Sequence, residues 1–246
     1  MIRTVVVLTW WAFWTVLNGI WSIPYMFLTK RVDGLYKAAV WGALFGAKLG
    51  GAKIEIRGRE NLDPRQHYIF MSNHVSNLDP PVVIPLIPGR TSVLVKKELF
   101  RIPLLGTAMK FARLVPVDRS NREAAIASIG EATAVLNSGL HMTVFPEGTR
   151  SADGRMRRMK KGPFYLAEES GVPVVPVTVR GTYEMWPKHR FAMKGGPVTL
   201  TFHPPITYAQ AGSREALMSA VKTAIESGLP EEQRSGAALL VDEEEN

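Results

Sequence analysis

A chain of 246 residues can bury a sizeable core in one large domain with an appendage. It is 46% hydrophobic and 21% charged, as folded proteins are, and it has no cysteine, which excludes disulfides, thiolate nucleophiles and zinc–cysteine sites. The net charge of +8 is uneven: residues 231–246 hold six acids and one arginine, a net of −5, so the rest carries +13, a balance that favours acidic partners such as phosphates and anionic lipid surfaces.

No charged residue occurs between Arg3 and Lys30. About 20 apolar residues suffice to cross a bilayer, so this run is long enough. No small-residue cleavage site closes it, so it does not read as a secretory signal. Trp10, Trp14, Leu17 and Trp21 fall on one helical face, and tryptophan prefers the headgroup boundary to the bilayer centre. Two expectations therefore stay open: a full span, or an anchor lying half-buried in the interface. Lys30 and Arg31 follow at once, as bases do at a cytoplasmic membrane face. The expected location is the cell inner membrane, with the remaining chain in the cytoplasm. A second apolar, glycine-containing helix over 33–49 is expected to pair with the first as a hairpin.

From Ala52 onward strand and helix patterns alternate. Strands are expected at 53–57, 68–72, 92–96, 114–117, 142–145, 172–179 and 198–202. Ser120-Asn121-Arg122-Glu123 reads as a capping box that opens a helix running to about Leu136, where Asn137 and Gly139 stop it. Leu217, Ala220, Val221, Ala224 and Ile225 form a helical stripe. The pattern predicts an α/β fold, a largely parallel mixed sheet flanked by helices, with an N-terminal hydrophobic helical anchor. The expected organisation is a membrane-associated helical segment at 1–50, an α/β domain at 51–230, and an acidic, mobile tail at 231–246.

Four blocks carry the chemistry. The first, Asn73-His74-Val75-Ser76-Asn77-Leu78-Asp79, follows an apolar strand, and ligands in α/β folds meet the carboxyl ends of strands. Asp79 before Pro80 reads as a helix N-cap. The loop is short enough for the carboxylate to hold one imidazole nitrogen, leaving the other to take a proton from an alcohol. That is the logic of a serine-protease triad with the substrate's hydroxyl in place of serine. An arbitrary histidine and aspartate at this spacing would more often be a loop residue and a cap, and the neighbouring blocks decide between the readings.

In the second, Arg113 to Arg119, a strand ends in Asp118-Arg119, and upstream lie Lys96 and Lys97. Arg119 suits a phosphate or a salt bridge to Asp118. The third is Phe145-Pro146-Glu147-Gly148-Thr149-Arg150-Ser151. There Gly148 permits a tight turn whose amides can hold an anion, and Arg150 is a planar phosphate donor. A basic run ending in Lys160 and Lys161 follows. The fourth, Val172 to Val177, contains Pro173 and Pro176, which would disrupt a central ladder if badly placed, and it reads as a buried strand bordering a pocket. Between Thr182 and Lys194 apolar Trp186, Phe191 and Met193 alternate with Lys188, Arg190 and Lys194. This stretch is expected to be either a membrane-contacting lip or an ordinary surface loop.

Together the four blocks resemble the glycerolipid acyltransferases, especially bacterial 1-acyl-glycerol-3-phosphate acyltransferases, in the family's order and over roughly residues 53–179. The resemblance implies an α/β acyltransferase domain behind a hydrophobic helix or helix pair. It implies His74 as general base and Asp79 as its orienting partner. It implies Glu147, Gly148, Thr149 and Arg150 in acceptor binding, with Arg119 near the phosphate; Asn73, Lys97 and Lys161 are further expected to bind substrate. Pro116 stands where the family commonly has another apolar residue. The implied partners are a lysophospholipid acceptor, acyl-CoA or acyl-carrier protein as donor, and an anionic membrane surface, with no cofactor and no nucleic acid. The acceptor expected is lysophosphatidic acid; another lysolipid, such as a lyso-ornithine lipid, or glycerol phosphate is the nearest alternative. An esterase lacks a G-x-S-x-G elbow. A non-catalytic, membrane-anchored binding protein would bind lipid without consuming thioester. Nucleic-acid binding would explain the charge but not the apolar N-terminus.

Overall fold

The computed structural model describes residues 1–29, 31–103, 105–117 and 122–236; of residues 122–127 it describes the backbone. Two helices come first, α1 (Ile2–Thr29) and α2 (Asp33–Leu49). Then follow β1 (Ala52–Arg57), β2 (Ile69–Ser72), α3 (Asp79–Leu86), β3 (Thr91–Lys96), α4 (Leu105–Phe111), β4 (Val115–Val117), α5 (Arg122–Asn137) and β5 (His141–Val144). The chain continues through α6 (Gly162–Ser170), β6 (Val174–Arg180), α7 (Thr182–Met185), β7 (Gly196–Phe202), α8 (Tyr208–Ala211) and α9 (Arg214–Ser227). Every strand expected from the sequence is present, shifted by a residue or two at its ends. The capping box at Ser120 lies outside the described residues.

The strands form one sheet in the order β1-β7-β6-β2-β5-β3-β4. The last five strands of that order are mutually parallel, and β7 runs antiparallel to β6 with β1 parallel to β7. A strand buried on both faces is largely apolar, because successive side chains point to opposite sides, and its few polar side chains must be hydrogen-bonded. The central strands obey this: buried Thr143 pairs with Thr91, and buried Thr178 donates to the Ile225 carbonyl. Phe70, Val175, Val177 and Val179 pack on one face with α2 and α3, through Ala47, Val82 and Val83. Ile69, Met71, Met142 and Val174 pack on the other with α5, α6 and α9, through Leu136, Phe164 and Val221.

The prolines are accommodated by position. Pro116 lies in β4, at the sheet edge. Pro176 lies in β6, the inner strand between β2 and β7, where a missing donor would be costly. The β6–β7 ladder ends one residue away, at Val177 opposite Phe202, and Pro176 contributes only its carbonyl, which accepts from the His203 amide.

The helix pair is the expected hairpin, and its geometry has a specific cause. The indole N–H groups of Trp10, Trp11 and Trp14 on α1 donate to the carbonyls of Gly42, Ala43 and Ala38 on α2, at 2.8, 3.1 and 2.9 Å. Such closeness needs glycine on α2. A Cβ at Gly42 would stand 1.9 Å from the Trp14 ring, and one at Gly46 2.1 Å from Trp11 Nε1.

Candidate active site

Strands β2, β5 and β6 are adjacent and parallel, so the segments that leave their carboxyl ends converge. These are residues 73–79 after β2, 145–151 after β5 and 181–187 after β6. Five contacts fix the first of them. Both ends of the Asn73 amide bond the Val179 backbone at 2.9 Å. The Ser151 amide donates to the His74 carbonyl, and the Ser76 hydroxyl and the Asn77 amide both donate to the Trp186 carbonyl.

Within this frame His74 Nδ1 lies 2.9 Å from Asp79 Oδ2. Asp79 is fully buried. The same oxygen accepts the amides of Val75 (2.6 Å) and Ser76 (2.7 Å), and Oδ1 accepts the Thr182 hydroxyl at 2.6 Å. The expected N-cap role is corrected here. Leu78 is the cap, and Asp79 is the first residue of α3. Its carboxylate turns back to close the loop that precedes it rather than forward onto its own helix.

The carboxylate fixes the imidazole with Nδ1 protonated and Nε2 basic. Nε2 has no hydrogen-bond partner among the described residues, and the side chain is 14% exposed. The Phe145 ring covers one side at 4.3 Å. The nearby serine hydroxyls are spent elsewhere: Ser72 donates to the Asn73 carbonyl, Ser76 to Trp186 and Ser151 to Asp153. A group in this state can take a proton from an alcohol brought to it.

Glu147 is almost fully buried and bridges two loops. Its Oε1 accepts the His74 amide at 2.6 Å, and its Oε2 accepts the Arg157 amide at 2.8 Å. The sequence places Glu147 among the acceptor-binding residues; in the structure it binds backbone and joins the His74 loop to the basic run. Burial pushes its carboxyl up to about 8, against the pull of the two amide donors. An acid whose folded-state pKa exceeds its ordinary value favours folding below that ordinary value, about 4.5. The contribution fades as pH climbs to about 8 and stays lost above it. The stability of the native protein minus that of Glu147→Gln should therefore fall across pH 5 to 8, by at most about 1.4 kcal/mol per pH unit. Urea midpoints for both proteins at each pH measure this, and a constant difference contradicts it.

The other sequence-derived residues separate into four groups. Asn73 is fully buried with both amide ends on Val179, so its side chain braces the backbone and is not exposed to solvent. Gly148, Thr149 and Arg150 follow Glu147 at the site. Gly148 adopts φ 71° and closes a turn onto the Phe145 carbonyl. Arg150 is half-buried and has no ion-pair partner among the described residues. Lys97 stands at the carboxyl end of β3, and Lys161 just before α6; both are exposed. Arg119 lies outside the described residues.

Beside the site opens an apolar cavity of about 500 Å³, within the range of small-ligand pockets. It runs between the hairpin, α3 and α4; Asn77 and Pro80 line it next to the His74 loop, and Trp14, Ala43, Ala108 and Met109 line its walls. The lip expected at 182–194 is corrected: Trp186 and Met193 are buried, Trp186 stacks on Trp11, and Phe191 alone of the three is exposed.

A proton acceptor with no free serine hydroxyl beside it among the described residues, at the carboxyl ends of a parallel sheet and beside an apolar cavity, defines a domain suited to acyl transfer onto a hydroxyl. The chain belongs to the acyltransferase family, whose model matches residues 53–180. It is 39% identical over 185 residues to a 1-acyl-sn-glycerol-3-phosphate acyltransferase of Limnanthes alba, covering 75% of this chain and 64% of that one. To the human 1-acyl-sn-glycerol-3-phosphate acyltransferase alpha it is 33% identical over 159 residues, 64% of this chain and 56% of that one. The chain thus spans less than two thirds of the length of these curated relatives. The crystal structure of the 1-acyl-sn-glycerophosphate (LPA) acyltransferase PlsC from Thermotoga maritima superposes with a TM-score of 0.78 at 27% identity, covering 92% of this chain and 95% of that one.

Proposed function

We propose that this protein transfers a fatty acyl group from acyl-CoA or acyl-carrier protein to the sn-2 hydroxyl of lysophosphatidic acid, giving phosphatidic acid. The observation that carries the reading is the His74–Asp79 pair, with Nε2 unpartnered among the described residues, on the loop whose Asn77 lines the apolar cavity. Nε2 takes the hydroxyl proton as the oxygen attacks the thioester carbonyl. The tetrahedral intermediate collapses, the C–S bond breaks, and the imidazolium returns the proton to the leaving thiolate. The buried carboxylate of Asp79 offsets the transient positive charge on the ring. The cavity takes an acyl chain, and Arg150 with the exposed bases of residues 155–161 takes the phosphate. The names of the relatives support this choice of acceptor.

The same reading sets the protein on the cytoplasmic face of the inner membrane, held by α1 and α2. At about 1.5 Å per residue α1 is about 42 Å long. Both of its ends touch the α/β domain. Thr4 bonds the Phe191 carbonyl and the Met193 amide at one end, and Phe27 packs on Phe111 at the other. A perpendicular span would drag that domain into the hydrocarbon. Exposed Phe13, Ile20, Trp21 and Leu28 suit a helix lying in one leaflet instead.

The test is purified protein with lysophosphatidic acid and an acyl thioester, with free thiol release followed over time. Arg150→Ala should raise the KM for the phosphorylated acceptor about tenfold or more, the worth of a hydrogen bond to a charged group. No thiol release from the native protein overturns the function. An unchanged KM removes Arg150 from the phosphate site.

A further inference from the structure

The residue that holds the orienting carboxylate from the far side is 103 positions away in sequence. Asp79 Oδ2 meets its three donors, from His74, Val75 and Ser76, on one loop. The terminal torsion of an aspartate is soft, so these contacts to a single oxygen leave the carboxylate plane free to turn. The second oxygen meets one hydroxyl, that of Thr182 at 2.6 Å, and both residues are fully buried.

The chain is shaped to deliver that hydroxyl. Strand β6 ends at Arg180, and Gly181 then turns at φ 93°. A Cβ on Gly181 would lie 2.1 Å from the Pro197 carbonyl oxygen, so glycine lets the backbone pass β7 and present Thr182 to the site. The segment is pinned further along, where the Trp186 carbonyl receives Ser76 and Asn77 and where Glu184 receives the Gln233 amide. The arm that reaches Asp79 is therefore anchored to the His74 loop through the Trp186 carbonyl and, outside that loop, to Gln233 through Glu184.

We propose that Thr182 is a positioning residue for acyl transfer: its hydroxyl locks the Asp79 carboxylate in the plane that holds the His74 imidazole with Nε2 toward the substrate. The proposal rests on the general-base reading of His74. Losing the lock leaves both substrates' contacts in place, so it acts on turnover and not on binding. Misplacing a catalytic group by an ångström costs about 10²-fold.

Thr182→Val, Thr182→Ser and Thr182→Cys test it in the full-length protein. Thr182→Val should lower kcat by about 10- to 10²-fold, with the KM values for acyl thioester and lysophosphatidic acid unchanged. Thr182→Ser should restore most of kcat, and Thr182→Cys, a weak donor, should fall between. In an Asp79→Asn background, where the charge that the lock orients is gone, Thr182→Val should cost less turnover than in the native background, because residues acting as a unit are not additive. A wild-type kcat in Thr182→Val overturns the proposal, as does a loss confined to KM or an equal loss in both backgrounds. A second readout requires no turnover, so it separates failure of this proposal from failure of the general-base reading. The downfield imidazole N–H resonance of His74 should move in Thr182→Val and return in Thr182→Ser. A resonance unmoved by Thr182→Val, or by Thr182→Cys if the valine variant does not fold, rejects the lock.

Discussion

Replacing His74 with alanine should lower acyl transfer by roughly 10²–10⁴-fold, the usual cost of a positioned acid–base group, and leave the fold and lipid binding intact. The asymmetry follows from what the side chain touches. Its backbone contacts, to Glu147 through the amide and from Ser151 to the carbonyl, survive in alanine. Asp79 loses one donor but keeps the amides of Val75 and Ser76 and the hydroxyl of Thr182. The carboxylate therefore stays satisfied, and the loop keeps its shape. The cavity and Arg150 are not altered. The checks are thiol release with lysophosphatidic acid and an acyl thioester, a thermal melt, and binding to lysolipid-containing vesicles. Turnover within a few-fold of the native protein would remove His74 from the chemistry. Loss of the melt would mean that the residue is structural.

The strand pattern and the His74–Asp79 spacing were legible in the sequence because local physics fixes both. Strands buried on two faces are largely apolar, and a six-residue loop can fold only so far. Long-range partners had no such signal. Nothing local marks Thr182 as a donor to Asp79, since it follows a glycine after a distant strand. Asn73 looked like a ligand-binding amide beside a histidine, yet the register of β2 against β6 carries it to Val179. Glu147 is expected at the acceptor only through the family resemblance. It faces inward because the His74 amide and the Arg157 amide both require an acceptor there. Trp186 misled for a similar reason: an aromatic among bases resembles a membrane lip, but α1 supplies Trp11 to cover it. The acidic tail is corrected over its first part, because Gln233 is buried, its carbonyl bonds the Met156 amide and its side chain bonds Glu184. Residues 237–246 lie outside the described residues.

Asp79 allows a sharper separation of chemistry from architecture than His74, because two substitutions there should behave differently. Asparagine keeps the shape and one carbonyl oxygen. That oxygen can replace Oδ2 as the acceptor for His74 Nδ1 and the two amides, while the new NH2 group points at Thr182 Oγ1, whose hydroxyl can turn to accept. Buried groups are then largely paired and the fold should hold, but the negative charge beside the imidazole is gone. In a serine protease the same exchange lowers kcat about 10⁴-fold with the geometry intact, and a comparable loss is expected for Asp79→Asn. Alanine removes every acceptor at once. It leaves the Val75 and Ser76 amides, the Thr182 hydroxyl and His74 Nδ1 without a partner around a site that Asp79 fills at zero exposure. A buried donor left unpaired costs about 1–3 kcal/mol, so Asp79→Ala should lose both turnover and several degrees of melting temperature. Side-by-side melts and thiol-release rates decide the matter. An asparagine variant that turns over normally would show that the carboxylate is only a structural cap for the loop. An alanine variant as stable as the native protein would mean that water enters and satisfies the loop, and that the buried network contributes little to the fold.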